Sequence, residues 1–130
     1  MGLFRRKRKT VDPNARSERL GLRNSDLLVM GQLMDLGADL TKPRHTLYYL
    51  YLPDGDAAAA AAAAIGDLGF RVRVNEPDDQ IPQWSLVCEH DALVLDPGTV
   101  RANSDRFEAI AAANNGDYDG WEAAVTHVDD

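Results

Sequence analysis

The segment Asn115-Gly116-Asp117-Tyr118-Asp119-Gly120 places oxygen-bearing side chains at every second position, with glycine sixth, like the start of a calcium-binding EF-hand loop. That chemistry needs a bidentate glutamate at the twelfth position and normally an aspartate at the first. Here Thr126 and Asn115 stand there, so calcium binding is not expected. Cys88 and His90 lie two residues apart and would point the same way from a strand. A zinc site requires further ligands, and the other histidines are His45 and His127. Nucleophilic catalysis by Cys88 would require a neighbouring base and an exposed thiolate, and no such motif surrounds it. Carboxylate pairs are too common in an acidic chain for spacing to select a general acid and base. There is no Walker loop and no dinucleotide fingerprint. No catalytic, cofactor-binding or metal-ligating residue is therefore assigned.

The elements that carry these residues follow from periodicity and caps. Asn24 or Ser25 can cap a first helix, with Asp26 favouring its positive end and Gly37 stopping it, which predicts a helix over about 25–36. Thr41-Lys42-Pro43-Arg44 reads as a polar connection. Thr46 to Leu52 is aromatic and apolar without alternation, which predicts a central strand. Pro53-Asp54-Gly55-Asp56 breaks that strand and can cap the next element. The eight alanines from Ala57 to Ala64, with Ile65 and Leu68, form a helix small enough to lie close on a sheet.

Phe70 to Val74 alternates strictly, a strand with one buried face and outward arginines suited to a sheet edge. After a proline-containing loop over 75–83, Trp84 to His90 is a third strand. Trp84, Leu86, Cys88 and His90 share one of its faces; Ser85, Val87 and Glu89 share the other. Asp96-Pro97 opens a helix that stops near Asn115-Gly116. Gly116 and Gly120, with Asp117 and Asp119, suggest sharp turns before a last strand over 121–128. The order after the first helix is β-α-β-β-α-β. Right-handed crossovers convert it into an α+β, ferredoxin-like βαββαβ sandwich at about 45–127, with an additional N-terminal helix.

Charge divides the chain. Five of its 14 lysines and arginines, Arg5, Arg6, Lys7, Arg8 and Lys9, fall in the first nine residues, where there is no acid. The remaining nine stand against 21 acidic residues, so residues 10–130 carry a net charge of −12. Residues 1–23 read as a mobile basic arm that can make weak contact with nucleic acid or a membrane surface. Residues 24–130 read as one acidic domain. The single Cys88 cannot form an internal disulfide, which suits a reducing compartment such as the cytoplasm. No apolar run is long enough to span a bilayer, and the basic start precludes a signal-peptide core.

One binding chemistry competes with a protein contact. RNA-binding domains of this fold stack bases on aromatics of the open sheet face, and Leu47-Tyr48-Tyr49-Leu50-Tyr51-Leu52 loosely resembles one of their strand motifs. Phe70-Arg71-Val72-Arg73-Val74 does not supply the other motif, and the acidic body repels phosphate. An RNA-binding module using the open face and the basic arm is the alternative function.

Asp117-Tyr118-Asp119-Gly120-Trp121 resembles the Tyr-Asp-Gly-Trp signature of the regulator of ribonuclease E activity B family. Gly37-Ala38-Asp39 and Pro43-Arg44 before the first strand, and Leu68-Gly69-Phe70-Arg71-Val72 at a helix-to-strand junction, are similar in order, so the resemblance covers about residues 24–127. It implies a ferredoxin-like fold and a non-enzymatic, cytoplasmic protein that binds an RNase E-type endoribonuclease and damps RNA cleavage. With an acidic body, the contact groups would be Asp117, Asp119 and Glu122 beside the signature, and Glu89 on the open sheet face. The contact surface and the oligomeric state are left to the tertiary structure.

Overall fold

The computed structural model describes residues 22–128. Seven elements follow in order: α1 (Asn24–Asp35), β1 (Arg44–Leu52), α2 (Gly55–Gly66), β2 (Arg71–Asn75), β3 (Trp84–Leu93), α3 (Pro97–Ala113) and β4 (Asp117–Ala123). The sheet order is β2-β3-β1-β4 with every neighbouring pair antiparallel. This is the ferredoxin-like arrangement, preceded among the described residues by α1, with the predicted central strand β1 beside β3 in the centre.

Local chemistry sets most boundaries. The Asp54 carboxylate caps α2 by accepting from the Ala57 amide at 2.8 Å, and Asp96 caps α3 by accepting from the Thr99 amide at 2.8 Å. α1 ends in a Schellman turn: Gly37 takes φ 91, its N–H donates to Met34 and that of Ala38 donates to Leu33. At the start of α1 the expected side-chain cap is not formed. Arg23 is the cap residue, its side chain makes no cap hydrogen bond, and Asn24 and Ser25 lie inside the helix.

Among the described residues one face of the sheet is covered. Along β1, Arg44, Thr46, Tyr48, Leu50 and Leu52 are buried and the residues between them are half-buried, so the strand alternates in burial although both faces are apolar. Tyr48 lies at the centre of the core, with ring centroids 4.3 Å from Phe107, 5.6 Å from Phe70 and 6.2 Å from Trp121. Ala58, Ala61 and Ile65 of α2 are fully buried, as the small alanine face allows.

The last strand runs from Asp117 to Ala123, not from 121 to 128. The glycines and aspartates of its first residues suggest turns. Here they form a β-bulge: Tyr48 pairs with Trp121 and Leu50 with Tyr118, so Asp119 and Gly120 together oppose Tyr49. Gly120 has φ 100. Gly116 has no such backbone. The left-handed residue at this helix end is Asn115 at φ 58, and a Cβ on Gly116 would meet the Tyr51 carbonyl oxygen at 2.4 Å.

Arg44 is part of β1 and fully buried rather than in the expected polar connection. Its guanidinium donates to the carbonyls of Ala124 at 3.0 Å and Val125 at 2.6 Å, and also to that of Asp39. Residues 1–21 of the expected arm, with Arg5 to Lys9, lie outside the described residues. Its last two residues, Leu22 and Arg23, are buried against the core.

Candidate protein-interaction face

Among the described residues the helices leave one face of the sheet open, and the register arranges that face as rows. Reading from β2 to β4, the first row is Arg71, Glu89, Leu47 and Glu122. The second is Arg73, Val87, Tyr49 and the Asp119-Gly120 bulge; the third is Asn75, Ser85, Tyr51 and Asp117. The centre is apolar and aromatic, the β4 margin is acidic and the β2 margin carries two arginines. Asp117, Asp119 and Glu122 are all exposed along the outermost strand. The expected contact residues of the signature region are therefore brought together on one margin.

Glu89 differs from those three. It is on the open face as expected, but its carboxylate is bonded to the His45 imidazole and, at 2.8 Å, to Arg71. These partners, His45 first and then Arg71, hold its carboxyl below the usual glutamate range. Arg71 also grips Asp91 through two nitrogens at 2.6 and 2.9 Å, and this contact lowers the Asp91 carboxyl in the same way. One ligand atom from each of His45, Glu89 and Asp91 lies within 4.8 Å of the others, close enough for a metal. The Arg71 guanidinium already supplies a cation to both carboxylates. Spacing along the chain could not reveal this cluster, because it depends on the β1–β3 register.

The tyrosines of the open face are drawn into its electrostatics. The Tyr49 hydroxyl donates to Glu122; desolvation first, and then this bond, push its pKa up to about 12. Tyr51 is raised by desolvation and by nearby Asp119. A depression of ≈ 230 Å³ lies between Leu47, Arg71, Val72, Arg73, Val87 and Glu89. It is smaller than the ~300–1,000 Å³ of small-molecule sites.

The signature itself faces inward. In a regular strand Tyr118 and Trp121, three apart, would point to opposite faces. The bulge at Asp119-Gly120 turns both into the core, where Trp121 is 6% exposed and donates its indole N–H to Asp26. Burial raises the Tyr118 hydroxyl pKa well above the ordinary phenol value. Tyr118, Gly120 and Trp121 therefore build the fold, and Asp119 alone of the four is exposed.

The other constellations are also placed. Cys88 is fully buried, and burial pushes its thiol up to about 12, far from a reactive thiolate. His90 Nδ1 accepts from the Ala92 amide at 3.1 Å and its ring packs 5.4 Å from Phe70. Asp117 to Ala123 is strand, which precludes the EF-hand loop geometry. Among the described residues no helix is long and apolar enough to cross a membrane.

Comparison with known proteins adds one finding. A family model described as regulator of ribonuclease activity B matches residues 24–123. No curated protein matches the chain.

Proposed function

The chain belongs to the regulator of ribonuclease activity B (RraB) family, and from that membership we propose that it is a non-catalytic protein that binds and inhibits an RNase E-type endoribonuclease in the cytoplasm and so modulates RNA decay. The observation that carries the reading to particular residues is the row of exposed carboxylates Asp117, Asp119 and Glu122 along β4. An acidic margin on an acidic domain attracts the basic segments with which a nuclease holds RNA, and competes with RNA for them. Glu89 contributes less, because its carboxylate is already paired with Arg71 and bonded to the His45 ring. The domain then extends over 24–130, with the basic arm before it.

The test is binding and inhibition measured against the host nuclease with the Asp117→Asn, Asp119→Asn, Glu122→Gln triple variant. The expected result is an unchanged circular-dichroism spectrum, affinity reduced about tenfold or more, and a weaker salt dependence than the parent protein shows. Failure of the parent protein to bind or inhibit at low salt overturns the reading.

One observation favours the alternative of RNA binding: Tyr49 and Tyr51 lie on the open face, with Arg73 in the row of Tyr49 on the far side of Val87. The carboxylates of β4 flank those rings and repel phosphate. A pull-down from native lysate separates the two readings, because a ribonuclease recovered after nuclease treatment is held by protein contact alone.

A further inference from the structure

The open face is complementary to itself, and we propose that two copies of the chain associate through it, face to face, about a two-fold axis parallel to the strands. Rotation about an axis running between β3 and β1 carries β2 of one copy over β4 of the other, because the order is β2-β3-β1-β4. Each row then meets its own reverse. Arg73 lies over the partner copy's bulge at Asp119, Asn75 over its Asp117, and Val87 over its Tyr49. A two-fold perpendicular to the strands would instead stack Arg73 on Arg73 and the three carboxylates on one another. Charge alone thus selects one symmetry.

The centre fits as well. The depression of ≈ 230 Å³ between Leu47, Val87, Arg71 and Arg73 lies opposite the place where the symmetry puts the partner copy's Tyr49 ring. Arg71 is already held by Glu89 and Asp91, so the new charge pairing rests on Arg73. With strands about 4.8 Å apart and rows about 6.8 Å apart, the grid covers roughly 400 Å² per copy. A stable complex buries about 800 Å² per partner. The association is therefore weak, reversible and concentration-dependent, in aligned sheet-on-sheet packing at about −30°. The inference goes beyond the nuclease reading and stands without it. Where both hold, self-association and nuclease binding use the same carboxylates and exclude each other.

Sedimentation equilibrium of the full chain alone, without nuclease, tests the proposal. At low salt the weight-average mass rises from monomer toward dimer as concentration approaches about 1 mM, and about 0.5 M salt suppresses the rise. Arg73→Glu alone and Asp119→Arg alone stay monomeric, since each sets like charges against each other. An equimolar mixture of the two variants associates again, because both contacts become opposite-charge pairs. As a second readout, Arg73→Cys and Asp119→Cys copies mixed with copper phenanthroline form a linked dimer that neither forms alone. A parent protein that remains monomeric to about 1 mM at low salt overturns the proposal. So does self-association that both charge variants retain.

Discussion

Trp121 donates its indole N–H to the buried carboxylate of Asp26 at 2.9 Å, across 95 residues of sequence. The bond fastens α1 to the last strand and gives the signature tryptophan a structural task. Trp121→Phe keeps most of the ring packing but leaves the buried Asp26 carboxylate without this donor. We expect a loss of about 2–3 kcal/mol in urea unfolding. A double-mutant cycle with Asp26→Ala should return a coupling of about 1.5–3 kcal/mol; a coupling near zero would show that the contact does not hold the helix.

The two glycines of the α3–β4 region act for different reasons, and substitution should separate them. Gly120→Ala places a side chain at φ 100 with open space around it, which costs about 1–2 kcal/mol in backbone strain. Gly116→Ala drives a Cβ to 2.4 Å from the Tyr51 carbonyl oxygen and 2.6 Å from Leu52 Cδ1. That overlap forces the turn away from β1 and should cost more, about 3 kcal/mol. Equal thermal shifts for the two variants would contradict this assignment.

Arg44→Met removes a buried guanidinium from the carbonyls of Asp39, Ala124 and Val125. Leaving those acceptors without donors should cost about 3–4 kcal/mol. The damage should be local first: the amides of Ala124 and Val128, bonded to His45 and Pro43, lose hydrogen-exchange protection before those of β3. Uniform loss across the sheet would show that Arg44 supports the whole core and not this corner.

Acid stability carries the sign of Glu89 and Asp91. His45 and Arg71 lower the Glu89 carboxyl, and Arg71 lowers the Asp91 carboxyl, below their ordinary values of 4.5 and 3.8. A depressed folded-state pKa gives stability that is present above the unfolded value and lost as pH falls through the folded one. The Glu89→Gln, Asp91→Asn double variant should therefore show a shallower fall of the urea midpoint below about pH 4.5. An acid limb as steep as that of the parent protein would exclude these two groups as contributors.

The sequence by itself determined the elements and their inward faces. Asp54 and Asp96 announced two helix starts, Gly37 a helix end, and the alternation from Trp84 to His90 the buried side of β3. These signals are local: a cap, a Schellman turn and a period of two each involve residues within one or two turns of chain. The element order then limited the topology. The tertiary structure decided what depends on distant neighbours. Asp119-Gly120 is a bulge and not a turn because Tyr49 of β1 stands opposite. Asp26 and Arg44 read as ordinary polar residues because their partners, Trp121 and the carbonyls of Ala124 and Val125, lie about eighty or more residues away. The three exposed carboxylates were legible from composition near the signature. That Glu89 is already paired, and that Arg73 stands across the open face from Asp119, follows only from strand register, which no single segment encodes.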